Sequence, residues 1–298
     1  MMSRDTFSTY HPGITFLFFI AAIVFGMYFI HPAFWISSCV LSAAYAVTIK
    51  GRSAVRLLFI LLLVFVVVSL INPLFTAEGR HVLITLPWGR PYTLEALCYG
   101  MAAGGMFVTV LLWFSSYNAV MSSDKFLYLF GRMIPSIALV LTMILRLVPL
   151  FQAKARQIAG ARKCVGMATG AASKKEKISH GMAVTSALTS WALEGGIITA
   201  DSMQSRGFGS GRRTTFSIYR MDSRDLILLA VMILLTGTVL LCAVKGGMKT
   251  VYIPDIELTG TDTPYMVAGI SAYIFFMAIP TILNIAEAVK WHYLRSGI

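Results

Sequence analysis

The sequence predicts an all-α polytopic membrane protein: about six transmembrane helices and two further long helices held on the cytoplasmic side. Three observations carry this. First, 57% of the 298 residues are hydrophobic and only 13% charged, with a mean hydropathy of +0.75. A soluble domain of that length carries about twice the charged fraction. Second, the apolar residues fall into runs long enough to cross a bilayer. Third, the stretch from Arg146 to Arg213 breaks the pattern: it is long, basic and rich in Ala and Gly. It is too polar to lie in lipid and reads as a helical platform for a partner protein.

In chain order, Ile14 to Ile30 is the first apolar run, ended by His31-Pro32. Proline stops a helix and disfavours helix in the residue before it, so this pair predicts a tight reversal. Ala33 to Ile49 is the second span and residues 50–56 a short basic loop. The third span runs over 55–72 and is almost pure Leu, Val, Ile and Phe. The segment after Asn72-Pro73-Leu74-Phe75 is polar, and its two short β-type runs around Pro87 to Pro91 predict a small hairpin or looped excursion at the interface. Leu94 to Tyr117 is the fourth span. Its Gly100, Gly104 and Gly105, with Ala102 and Ala103, permit close helix approach and place it inside the bundle.

Residues 118–131 form an amphipathic piece capped by Ser122-Ser123-Asp124. A long helix is predicted from Ile134 to about Gly166, opened by Pro135 and kinked at Pro149. Its first half is apolar and its second half basic, so it leaves the membrane partway. A lysine-rich turn over 170–177 leads to a second long helix, from about Ile178 to Arg206, which Gly207 ends. Small residues along it (Ala183, Ala187, Ser190, Gly195, Gly196) would permit close crossing and sliding against the first. Residues 225–244 and 264–289 are the fifth and sixth spans. The chain therefore divides into 1–117, four spans; 118–223, the helical platform; and 224–298, a closing pair of spans.

Orientation follows from the bias of Lys and Arg towards the inner face. With both termini inside, only Arg80, Arg90, Lys245 and Lys249 of the 25 basic residues face outward. The expected location is the cell membrane, multi-pass, N-in and C-in. This bias accounts for the net charge of +12 without any nucleic-acid partner. The four cysteines have no metal-site or redox-pair spacing, and the first apolar run is expected to be a retained span, not a cleaved leader.

The most informative local pattern is Ala200-Asp201-Ser202-Met203-Gln204-Ser205-Arg206-Gly207-Phe208. An arginine in the last helical turn meets the negative end of the helix dipole. The glycine turns the chain away and leaves the planar guanidinium fork projecting. Such a fork fits an acidic or carbonyl-lined groove; an ordinary helix cap has the same local chemistry.

Asn72-Pro73-Leu74-Phe75, Leu145-Arg146-Leu147-Val148-Pro149 and ADSMQSRGFGSGRRT, in this order and spacing, together resemble the transmembrane T component of energy-coupling factor (ECF) transporters, across nearly the whole chain. That resemblance implies a non-catalytic scaffold subunit of an ATP-driven importer of the ATP-binding-cassette class. It implies two cassette ATPases as partners, with ATP bound on them and no cofactor on this chain. It also implies a small membrane S component that binds a vitamin or a transition-metal ion. In that family two Ala-Arg-Gly-like motifs end two cytoplasmic coupling helices and dock on the ATPases. The second motif maps onto Ser205, Arg206 and Gly207. The first maps onto Ala161-Arg162-Lys163-Cys164-Val165-Gly166, where Val165 stands at the arginine position. Two readings follow: Arg162 or Lys163 substitutes from the preceding turn, with Gly166 keeping its place, or this contact is weaker. The chain also departs from the family's N-terminal Asp-Pro-Arg-like triplet, having His11-Pro12-Gly13.

Asn72, Pro73, Arg146, Pro149 and Glu194 are the expected structural or coupling residues. Arg146 lies in an apolar stretch, and a charge there must snorkel or pair; Glu194 on the other long helix is the candidate partner. His81 and His180 stand isolated in sequence. The chain has neither a phosphate-cradling glycine loop nor a His-Glu-x-x-His pattern. Two other function classes are weighed: an intramembrane enzyme, for which the spans offer almost no ionisable residues, and a stand-alone carrier or channel, for which no internal repeat is seen.

Overall fold

The computed structural model of the chain describes residues 5–76, 79–85, 91–131, 134–166, 174–211, 219–245, 250–252, 257–258 and 264–296. The chain folds into two compact units, residues 1–126 with 219–298, and residues 127–218. The first holds α1 (Pro12–Tyr28), α2 (Pro32–Lys50), α3 (Arg52–Phe75), β1 (Val82–Thr85), β2 (Pro91–Thr93), α4 (Leu94–Val120), the first four residues of α5 (Ser123–Gly131), α8 (Ser223–Val244), β3 (Thr250–Val251), β4 (Glu257–Leu258) and α9 (Pro264–Ser296). The second holds α6 (Pro135–Cys164) and α7 (Lys174–Ser205). The architecture is that of an all-α polytopic membrane protein.

Helices α1 and α2 open in the same way. A proline occupies the first turn, where its missing N–H costs nothing. The histidine before it caps the helix: Nδ1 of His11 accepts the Gly13 N–H at 3.2 Å, and Nδ1 of His31 accepts the Ala33 N–H at 3.2 Å. His31 is buried, and that burial lowers its pKa and favours the neutral ring that an accepting Nδ1 requires. The reversal read from His31-Pro32 is thus a helix cap packed into the bundle.

The expected basic loop over 50–56 shrinks to Gly51 (φ +54°), because α3 already begins at Arg52. Arginine stems can lie along a helix end while their charges reach water, so the helix need not wait for the first apolar residue. Among the described residues six helices are long and apolar enough to cross a membrane: α2, α3, α4, α6, α8 and α9. This differs from the expectation at two places. The first run forms a helix of 17 residues, about 25 Å, the length expected but set two residues earlier by the His11 cap and Pro12, and shorter than any of those six. Helix α6 qualifies because its apolar half is continuous with its basic half. The interfacial excursion is an antiparallel hairpin pairing Val82 with Thr93 and Thr85 with Pro91; its turn, with Trp88, lies outside the described residues.

Helix α4 packs on α1, α2 and α3, the position that its small residues predicted. A Cβ at Gly105 would overlap the Trp35 indole. At Gly100 a Cβ would stand 2.7 Å from the Ser69 carbonyl oxygen and 3.0 Å from Cβ of Asn72. Pro73 explains this second approach. Lacking an N–H, it leaves the carbonyl of Ser69, four residues earlier, without its helical donor. Gly100 brings the α4 backbone against that freed carbonyl, where a Cα–H contact can partly satisfy it. Asn72 and Pro73 therefore belong to the α3–α4 seam.

The rest of the bundle is closed by aromatic rings. Phe18, Phe19, Phe34, Tyr45, Trp113, Tyr273 and Phe276 are fully buried. Phe18 stacks on Phe276 at 5.1 Å and Phe29 on Phe34 at 4.8 Å, and Trp113 donates its indole N–H to Ser38 at 3.0 Å. Lipid tails are as apolar as these side chains, so contact shape and hydrogen bonding hold the helices together. By contrast α3 turns Phe59, Leu62 and Leu63 outward, as a lipid-facing surface does.

Replacing Gly105 with Val should destabilise the bundle by about 1–3 kcal/mol through overpacking against Trp35. Gly237→Ala, where nothing lies within 4 Å, should be neutral or stabilising by up to about 1 kcal/mol. Thermal unfolding of the purified protein in detergent checks both.

Candidate functional site

Helices α6 and α7 run antiparallel, as three contacts fix. Phe151 meets Trp191 edge to face at 5.7 Å, Nζ of Lys154 lies 5.5 Å from the Trp191 ring, and Nε of Arg162 donates to Nδ1 of His180 at 3.3 Å. The pair is therefore pinned by an aromatic–cation cluster at mid-length and by an Arg–His contact towards the end of α6. Both helices are otherwise open, and neither has a buried residue. In α6 the exposed residues change along the helix. Ile137, Val140, Ile144 and Val148 line its first half; Arg156 and Lys163 follow.

The close crossing that small residues would permit is not what joins the helices. Gly195 and Gly196 have nothing within 4 Å of the position a Cβ would take. Trp191 instead makes the contacts there, with the Phe151 ring and with Nζ of Lys154. Arg146 and Glu194 form no ion pair among the described residues. Neither of the two histidines read as isolated is so: His180 accepts from Arg162, and Nδ1 of His81 lies 2.7 Å from Oε1 of the buried Glu95 at the start of α4. No group of three His, Cys, Asp or Glu that could hold a metal occurs among the described residues.

The two helix ends match. At α7, Arg206 is the cap residue and Gly207 follows at φ +76°. The Gly207 N–H bonds back to the Gln204 carbonyl at 2.9 Å and the Phe208 N–H to that of Met203 at 3.0 Å, which is the Schellman arrangement. At α6, Val165 is the cap residue and Gly166 follows at φ +74°. The Gly166 N–H bonds to the Lys163 carbonyl at 3.0 Å; the next residue lies outside the described residues. Val165 thus stands in the backbone position of Arg206, and Gly166 in that of Gly207. Both cap side chains are exposed. Arg206 has no hydrogen-bond or ion-pair partner among the described residues and borders a shallow notch with Asp201, Ser202 and Ser205. At the α6 end, Lys163 is exposed, but Arg162 is only partly exposed and is held by His180. Of the two basic residues preceding Val165, Lys163 is the freer one.

A polar cluster at the bundle end that carries the N-terminal segment was not legible in the sequence. Asp5 accepts from the Tyr45 hydroxyl at 3.1 Å and from Nδ2 of Asn284 at 2.6 Å, and Oδ1 of Asn284 accepts the Thr6 N–H at 2.8 Å. The buried Lys125 ammonium donates to the carbonyls of Ser8 and Val120. Burial pushes the Lys125 pKa down, and the charge of Asp5 opposes that shift. Residues about 280 positions apart meet here, a separation no local pattern can signal.

Trp191→Ala should remove the ring contact with Phe151 and the cation–π contact with Lys154, together worth about 1–2 kcal/mol. Amide hydrogen exchange of residues 146–162 and 180–196 should rise together by about tenfold, whereas Trp191→Phe should retain most protection.

No family model matches the chain, and no curated protein matches it.

Proposed function

We propose that this chain is the transmembrane scaffold subunit of an ATP-driven importer of the energy-coupling factor type. In this reading it binds no nucleotide and catalyses nothing. Residues 127–218 form the platform on which two cassette ATPases seat, and the membrane helices hold a small substrate-binding S component carrying a vitamin or a transition-metal ion.

The observation that carries the reading is the matched pair of helix ends. Two antiparallel helices terminate in left-handed glycines, Gly166 and Gly207, each preceded by an exposed cap residue. One unsatisfied guanidinium and a second cap in the same backbone conformation make two docking points for a pair of related partners. The points are unequal. Arg206 offers five donors to an acidic or carbonyl-lined groove, whereas Val165 offers an apolar contact flanked by Lys163. The inequality favours two ATPase contacts of different strength.

The exposed apolar half of α6 supports a membrane partner as well. Ile137, Val140, Ile144 and Val148 are exposed, and the S component is the proposed occupant of that surface. Coupling then needs only that ATP-driven closure of the ATPases favour one arrangement of α6 against α7.

Affinity purification of the tagged chain from its native membranes tests this. Wild type should carry cassette ATPases with it, and Arg206→Glu should lose most of them, since a reversed charge at a docking contact costs about 2–5 kcal/mol. Val165→Arg should tighten the weaker contact. Recovery of no ATPase with wild type would sink the transporter reading and return the carrier or channel alternative; equal recovery with Arg206→Glu would remove Arg206 from the docking site.

A further inference from the structure

The bundle has a cavity of about 310 Å³ between the N-terminal segment, residues 220–225 at the start of α8, and α9 near Glu287. All of it belongs to one compact unit. Its wall carries both signs of charge, and the hydrogen bonds divide those charges into two sets. Asp225 is occupied: it accepts the His11 N–H at 3.3 Å and the Asp222 N–H at 3.1 Å. Asp222 completes the capping box of α8 and lies 3.6 Å from Nη2 of Arg224. These groups serve the fold. Arg220, Lys290 and Glu287 do not: none has a hydrogen-bond or ion-pair partner among the described residues. Glu287 is nevertheless half-buried, a costly state for a carboxylate without a cation.

Two unpaired cations and one unpaired carboxylate thus border a single cavity. Its surroundings indicate the kind of ligand. Leu226 and Ile227, directly after Asp225, are exposed, as are Ile282, Ile285 and Val289 within one turn of the cavity residues on α9. A charged hollow at the end of two helices with bare apolar flanks has the polarity profile of a phospholipid: a charged head, then hydrocarbon. A phosphodiester satisfies Arg220 and Lys290 by charge-assisted hydrogen bonds. The remaining carboxylate asks for a cation carrying N–H donors. A primary ammonium supplies these; a quaternary ammonium has none, and a glycerol head brings no positive charge.

We propose that this cavity binds the headgroup of an aminophospholipid of the phosphatidylethanolamine type, with its phosphate on Arg220 and Lys290 and its ammonium on Glu287. The site does not rest on the transporter reading, since it uses none of the platform residues.

The test is native mass spectrometry of the full-length, delipidated protein titrated with phosphatidylethanolamine, phosphatidylcholine and phosphatidylglycerol of identical chains. Wild type should bind one phosphatidylethanolamine in preference to the other two. The double variant Arg220→Gln/Lys290→Gln should need about tenfold more of it for half occupancy, the loss expected for a charge-assisted pair. Glu287→Gln should abolish the preference over phosphatidylcholine while total phospholipid binding persists. Arg52→Gln, at a helix end away from the cavity, should behave as wild type. Soluble phosphoethanolamine should not displace the lipid at equal concentration. Equal binding of the three lipids, stronger binding of phosphatidylglycerol, unchanged binding in the double variant, or displacement by soluble phosphoethanolamine would each overturn the proposal.

Discussion

Helix α4 can occupy the inside of the bundle because α3 and α2 meet it at positions without side chains. The α3 contact is the most constrained. Pro73 removes one main-chain donor and exposes the Ser69 carbonyl, and Gly100 lets the neighbouring backbone close over it. In a bilayer a bare carbonyl cannot turn to water, so the pairing of a proline on one helix with a glycine on the next is a joint requirement. The packing of α4 on α1, α2 and α3 depends on that seam, and the aromatic cluster fills the remaining space. Ser69 and Asn72 also bring buried polar atoms, Oγ and Oδ1, that have no hydrogen-bond partner among the described residues. The seam is therefore sensitive to any change in helix separation.

The two units are held by different means. In the bundle the contacts are dense and mostly aromatic, with hydrogen-bond networks at the ends. Tyr252 donates its hydroxyl to the Ile30 carbonyl at 3.0 Å, tying residues 250–252 to the α1–α2 reversal. At the other end Asp5, Asn284 and Lys125 tie the N-terminal segment to α9 and α5. In the second unit the side-chain contacts between the two long helices among the described residues include one ring pair, one cation–π contact and one Arg–His bond. A two-helix element with so few contacts can change its crossing at low cost. This is the mechanical property that a coupling platform needs, and the proposed function draws on it.

The proposed lipid site and the proposed docking point both rest on incomplete pairing. Arg206, Arg220, Lys290 and Glu287 are charged and have no partner among the described residues, whereas Asp5, Asp222, Asp225 and Lys125 are tied into the fold. Sequence shows all of these as charges near span ends. Only the hydrogen-bond geometry separates those that hold the fold from those available to a ligand. The same holds for Arg162 and Lys163, adjacent in sequence, of which His180 engages one.

By itself the sequence determined the membrane class, the helix start at Pro135, the glycine stops at Gly166 and Gly207, and the burial of the glycine-rich α4. Each follows from local chemistry: apolar run length, the missing N–H of proline, the freedom of glycine at positive φ, and the space that absent side chains leave. It overstated the loop over 50–56 and began the first two helices at Ile14 and Ala33 instead of Pro12 and Pro32, because helix ends follow capping partners more than the first apolar residue. Tertiary structure alone decided that Trp191 of α7 meets Phe151 and Lys154 of α6 while Gly195 and Gly196 stand open. It also decided that Asp5 meets Asn284 and that Glu287 is left half-buried without a cation. These are meetings between residues far apart in the chain, set by how helices pack; periodicity and composition, being local, carry no record of them.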